Sequence, residues 1–158
     1  MTTQLSKNFT LEELLTTSHK DLLPKQKEEV KPYVNNLYIL ANYILQPIRN
    51  YYKVPIIINS GFRGPALNRR VGGTKTSDHT CIMGAAAADF TVKGRTVDEV
   101  FKDIISGKIG IIYRQVINEQ NSSGAKWIHI ASLRFPFDKS DKYMHKLTYD
   151  GKKYIEVK

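Results

Sequence analysis

Ser77-Asp78-His79-Thr80-Cys81-Ile82-Met83-Gly84-Ala85-Ala86-Ala87-Ala88-Asp89 sets a histidine at the end of a polar loop and an aspartate at the mouth of a strand-like run. Further on, Trp127-Ile128-His129-Ile130-Ala131 alternates a second histidine with Trp127 and Ala131 on one face of an expected strand. His79, Asp89 and His129 are nitrogen and oxygen donors of the kind that bind zinc. Three protein ligands leave the fourth tetrahedral position open for water, which separates a catalytic zinc site from a closed structural one. Spacing alone leaves this reading open beside the commoner one, a histidine satisfied inside the fold. His19 and His145 have no comparable context, and surface placement is expected for both.

Just upstream, Pro55-Ile56-Ile57-Ile58-Asn59 is a β-branched run that predicts a buried strand, emptying into the turn-rich Ser60-Gly61-Phe62-Arg63-Gly64-Pro65. Ala88 to Val92 predicts another strand. Thr96 and Glu99 are spaced as a capping box that opens a helix to about Ile105, stopping before Gly107. Ile111 to Ile117 and Trp127 to Ser132 predict two strands joined by Gln120-Asn121-Ser122-Ser123-Gly124. Leu147 to Ile155 carries the Asp150-Gly151 signal of a tight hairpin.

Towards the N-terminus, Thr10 and Glu13 form a second capping box. Val34, Leu37, Ala41, Ile44, Leu45 and Ile48 make one apolar stripe of a helix from about Glu28 to Tyr52, interrupted at Pro47. Tyr33, Tyr38, Tyr43, Tyr51 and Tyr52 read as packing and surface aromatics. Helices gather early and strands late, without βαβ alternation. The expected fold is therefore α+β, an antiparallel β-sheet packed with N-terminal helices, as a single domain over residues 1–158.

Composition sets the bounds. The 158 residues suffice for a hydrophobic core, and 41% hydrophobic with 25% charged residues is ordinary for a globular chain. No stretch approaches the ~20 apolar residues that a bilayer span needs. Met1-Thr2-Thr3-Gln4-Leu5-Ser6-Lys7 lacks an apolar signal-peptide core. The single cysteine, Cys81, excludes an internal disulfide. A net charge of +9 fits either a solvated basic surface or attraction to a polyanion such as nucleic acid or bacterial cell wall. There is no basic arm and no aromatic RNA-binding signature, so no specific nucleic-acid partner is expected.

From Leu5 to about Ser132 the chain resembles the zinc D-alanyl-D-alanine peptidase family, which shares its fold with the lysostaphin and hedgehog domains. Leu5-Ser6-Lys7-Asn8-Phe9-Thr10-Leu11-Glu12-Glu13-Leu14 is similar to the family's opening helix. Leu45-Gln46-Pro47-Ile48-Arg49, followed by Pro55 to Arg63, resembles its central helix and strand. Asn68-Arg69-Arg70-Val71-Gly72-Gly73 leads into the Ser-x-His half of the signature, which continues through Gly to Ala-x-Asp; Trp127-Ile128-His129 matches the last ligand strand.

The resemblance implies a hydrolase in which His79, Asp89 and His129 hold zinc (Zn2+) and Arg63 faces the substrate. It implies action on bacterial peptidoglycan, as a D-Ala-D-Ala carboxypeptidase or an endopeptidase. A monomeric phage-type endolysin, made in a bacterial or phage-infected cytoplasm and acting at the wall, is the expected biological setting. Ser77 and Asn68 take loop-building positions. The alternative is a non-catalytic metal-binding domain of the same fold with a binding or virion-structural role.

Two departures from the family pattern bear on chemistry. The spacing of His79 and Asp89 is longer than the signature's, so the residues between Thr80 and Ala88 either bulge outward or remodel the site. Cys81 lies in that stretch, and a buried inert thiol is expected rather than a ligand. The family's usual general base stands three residues before the last histidine, where this chain has Lys126. Glu119 is the replacement candidate: a hairpin would bring it opposite Lys126 or Trp127, in reach of the metal water. The competing expectation is a solvated Glu119 paired with Lys126.

Overall fold

The computed structural model describes residues 2–137, 141 and 143–158. Gln4–Ser6 (β1) and Phe9–Thr10 (β2) form a small antiparallel ribbon that runs into Leu11–Leu14 (α1). The capping box is formed: Glu13 N donates to Thr10 Oγ1 at 3.3 Å, and Thr10 N donates to Glu13 Oε2 at 2.8 Å.

The long helix expected from Glu28 to Tyr52 is instead a chain of short pieces. Leu23–Glu29 (α2), a 3-10 turn Lys31–Tyr33, Val34–Leu40 (α3), a π turn Ala41–Leu45 and Gln46–Tyr52 (α4) follow one another. Proline explains the breaks. Pro32 cannot donate the bond that would continue α2, and Pro47 has no N–H for the carbonyl one turn back, where the wider π turn accommodates its ring. The apolar stripe survives the segmentation, because Leu37, Ala41, Ile44, Leu45 and Ile48 are all buried.

The main sheet has the order β3-β4-β6-β5-β7-β8. Its strands are Ile56–Ser60 (β3), Ala87–Val92 (β4), Gln115–Gln120 (β5), Lys126–Ala131 (β6), His145–Tyr149 (β7) and Tyr154–Glu156 (β8). Pro65–Arg70 (α5) follows β3, and Val97–Ile105 (α6) connects β4 to β5. Every pairing is antiparallel except β5 with β7, which is parallel. The fold is α+β, as expected. The strand expected at Ile111–Ile117 begins only at Gln115, because Gln115 is already opposite Ala131, the last residue of β6. Nothing on β6 remains to pair with Ile111 or Ile112.

The sheet's two faces differ in kind. Ala88, Phe90, Val92, Val116, Ile128 and Ile130 are buried against the helices. On the other side of the same strands stand Asp89, Ile117, Glu119, Trp127 and His129, which line a cavity. Among the described residues, no helix is long and apolar enough to cross a membrane.

Candidate metal centre

His79 sits in a 3-10 turn, Asp78–Thr80, capped by Ser77. Its Nδ1 lies 2.7 Å from the carbonyl oxygen of Gly61. A carbonyl only accepts, so Nδ1 carries the proton and Nε2 is left with a lone pair facing the cavity. Gly61 is required there: a Cβ would stand 2.3 Å from the carbonyl oxygen of Leu14. The segment is clamped further by Phe62 N to Leu14 O (2.7 Å) and Arg63 N to His79 O (2.9 Å). Buried Gln26 of α2 donates to Phe62 O at 2.7 Å and accepts from Gly64 N at 2.6 Å. Asn68 Nδ2 donates to the carbonyls of Gly73 and Thr74, which gives it the loop-building place expected of it.

The other two donors come from adjacent strands. Asp89 is the register partner of His129. His79 Nε2 lies 3.2 Å from His129 Nδ1 and 3.3 Å from Asp89 Oδ1, and the latter two are 2.8 Å apart. Bonds of ~2.0–2.1 Å at a tetrahedral ion put neighbouring donors about 3.3 Å apart. The observed triangle is therefore close to what one zinc ion requires, and the donor set of two imidazoles and a carboxylate suits it. Among the described residues, these three form the one such group.

The longer spacing between His79 and Asp89 is absorbed outside the site. Cys81 (φ 61°) and Gly84 (φ 88°) turn the backbone, and Ile82 and Met83 project into solvent. The far end of the bulge is pinned by Ala86 N to Ser132 Oγ (2.9 Å) and by Ser132 N to Ala86 O (2.9 Å). Cys81 itself is buried, and burial pushes its thiol up to about 12. It is an inert packing residue, as expected.

Glu119 is opposite Trp127 in the β5–β6 pairing, and Ile117 is opposite His129. That register turns Glu119 to the same face as His129. Lys126 faces the other way, where its Nζ reaches Asp98 of α6 at 2.7 Å. The expected alternative, a solvated Glu119 paired with Lys126, is thus not what forms; Gln120 is the partner of Lys126 in the ladder.

The cavity has a volume of about 540 Å³ and brings Arg63, Ser77 and Glu119 together with the three donors. Arg63 Nη2 donates to Ser77 Oγ at 2.9 Å, while its buried Nε has no hydrogen-bond partner. Burial pushes the Asp89 carboxyl up, but the two imidazoles beside it, His79 and His129, outweigh that and hold Asp89 well below the usual carboxylate range. Burial opposes a charged His129, and its bond to Asp89 outweighs that, so His129 is raised. Glu119 is raised mainly by burial; His129 and Arg63 oppose the shift and Asp89 adds to it. Burial lowers Arg63, with Asp89 and Glu119 acting the other way.

A family model described as peptidase M15 matches residues 7–131. The chain belongs to the peptidase M15 family. That family is of the zinc D-Ala-D-Ala carboxypeptidase type, so the coarse function is that of a metallopeptidase. A comparison with curated proteins found no match. The part of this M15 chain that matches contains His79, Asp89, His129, Glu119 and Arg63, and ends before the β7–β8 hairpin.

Several cavity residues of this M15 chain escaped sequence reading. Arg114 Nη1 binds Asp78 Oδ2 at 2.6 Å, and Arg134 bridges Asp78 (3.6 Å) and Asp141 (3.0 Å). Nothing local singles these residues out, since each acts across a long chain separation. His145, expected at the surface, is instead largely buried in β7, 3.4 Å from Glu156 Oε1. His19 is half-buried beside a 3-10 turn.

Proposed function

We propose that the chain is a zinc peptidase hydrolysing peptide bonds in the stem peptides of bacterial peptidoglycan, with residues 1–158 working as one peptidase domain. The observation that carries this reading is the triangle of His79 Nε2, Asp89 Oδ1 and His129 Nδ1 at the floor of a cavity that also holds Glu119 and Arg63. These three residues would hold the ion. When bound, zinc supplies a Lewis acid and makes water easier to deprotonate.

The chain's own residues do the rest. Glu119 takes the proton of the attacking water and returns it to the leaving amine, and its raised pKa suits both halves of that exchange. Arg63 offers a fixed positive charge to the developing oxyanion or to a substrate carboxylate. The Gly61 carbonyl holds His79 in the tautomer that can ligate. A net charge of +9 draws the protein to an anionic wall, in keeping with a phage-type endolysin.

Metal analysis combined with mass spectrometry of digested peptidoglycan tests the reading. About one zinc per chain and chelator-sensitive release of stem-peptide fragments are expected. Zinc without turnover, with Glu119→Gln indistinguishable from wild type, would establish a non-catalytic metal-binding domain instead. Binding of DNA by a protein that takes up no metal would overturn both.

A further inference from the structure

The hairpin of β7 and β8 lies beyond the residues that match the family, yet it brings Tyr154 to the cavity at the metal centre. Register places it there. Glu119 is paired with Tyr149, and Tyr149 with Tyr154, so one face of the sheet runs unbroken from His129 through Glu119 to Tyr154. Tyr154 lines the metal cavity directly. A second depression, about 480 Å³, continues from it between Gln115, Ile117, His145, Leu147, Tyr154 and Glu156. The two depressions share Gln115, Ile117 and Tyr154, so they form one cleft that passes the metal centre.

The chemistry of the extension is distinct. None of its lining residues is Lys or Arg, and its one imidazole, His145, lies 3.4 Å from Glu156 Oε1, so the extension offers no fixed positive charge to a substrate's carboxyl terminus. The arginine side of the cleft suits that terminus instead. What remains on the hairpin side is an exposed aromatic ring with a hydroxyl, an apolar floor of Ile117 and Leu147, and an amide at Gln115. Tyr154 is 58% exposed, and its ring packs on Tyr149 at a centroid distance of 4.5 Å, which fixes its position before any ligand arrives.

We infer that the β7–β8 hairpin is a substrate subsite, in which Tyr154 positions a carboxylate-free stretch of an extended peptide running past the cleaved bond. The proposal rests on the peptidase reading. It makes Tyr154 a positioning residue that acts on longer substrates, rather than a group needed for bond cleavage itself.

The test uses the full chain carrying Glu119→Gln, loaded with zinc so that peptides bind without turnover. Calorimetry compares N-acetyl-L-Ala-D-isoglutaminyl-L-Lys-D-Ala-D-Ala, in which the α-carboxyl of the γ-linked residue is an amide, with N-acetyl-D-Ala-D-Ala. The longer peptide should bind more tightly, and Tyr154→Ala should weaken it by roughly 3- to 10-fold while leaving the dipeptide unchanged. Tyr154→Phe should keep most of the gain. Without any change at Tyr154, backbone amide shifts of Leu147 and Tyr154 should move with the longer peptide and stay still with the dipeptide. Equal affinity for the two peptides overturns the proposal, as does a Tyr154→Ala effect that is absent or the same for both. If the zinc-loaded chain binds neither peptide, the peptidase reading itself has failed.

Discussion

A carbonyl oxygen can accept a hydrogen bond but cannot donate one, and this makes Gly61 a determinant of how His79 can act. Removing any corner of the triangle should therefore remove the metal: His129→Ala and Asp89→Asn are each expected to retain well under one zinc per chain after dialysis, as measured by metal analysis. Glu119→Gln should keep its zinc and lose ~10²–10⁴-fold in kcat. The pH dependence follows from the raised pKa of Glu119. A base works when ionised, so activity should fall as pH drops through a value above the ordinary glutamate range, and Glu119→Gln should abolish that acid limb. Stability has the opposite sign. A folded pKa raised above the unfolded one favours the fold at low pH and loses that contribution as pH rises through the folded pKa. Glu119→Gln should accordingly melt higher than wild type near pH 7 while being catalytically impaired. Equal or lower melting would show that Glu119 is not strained by burial.

Individual elements show which local signals survive in three dimensions. Both capping boxes were legible from Thr-x-x-Glu spacing, and both are formed with their reciprocal bonds. The apolar stripe was legible as well, but its division by Pro32 and Pro47 into α3, a π turn and α4 was only partly so. A proline announces a break without saying whether the helix ends or re-registers. The segment between β3 and α5 carries the most demanding packing. A Cβ at Gly61 would collide with the Leu14 backbone, which cannot move without releasing Phe62 and displacing the acceptor of His79. Gly61→Ala should cost about 2 kcal/mol or more. That corresponds to a fall in Tm of roughly 4–8 °C for a chain of this length, and zinc affinity should weaken with it. A variant with unchanged Tm and metal affinity would show that the clamp is slack.

Taken whole, the molecule couples metal binding to stability, because the donors come from a loop after α5 and from two strands that only the folded sheet brings together. Zinc at about a thousand times its Kd would stabilise the fold by ~4 kcal/mol. Chelation should then lower Tm by roughly 8–16 °C, and scanning calorimetry with and without chelator reads this directly. The charge of +9 predicts a second bulk property. Release of peptidoglycan fragments should slow as salt rises from low ionic strength to above the physiological range, where the Debye length is under ~8 Å. Hydrolysis of a short soluble peptide should change far less.

Donor types, capping residues, turn residues and the apolar stripe are properties of neighbours along the chain, so they could be read in order from Thr10 to Gly151. The family resemblance joined them into an expectation of fold and metal site. What the chain order could not supply was geometry between distant segments. Glu119 could have been opposite Lys126 or Trp127, and a slip of one position would have turned it to the helix-covered face. Packing of the core residues Val116, Ile128 and Ile130 against the helices chose the register, and with it the side on which Glu119 stands. The same long-range contacts sent Lys126 to Asp98, pushed Ile82 and Met83 out of the site, and brought Tyr154 to the edge of the cleft.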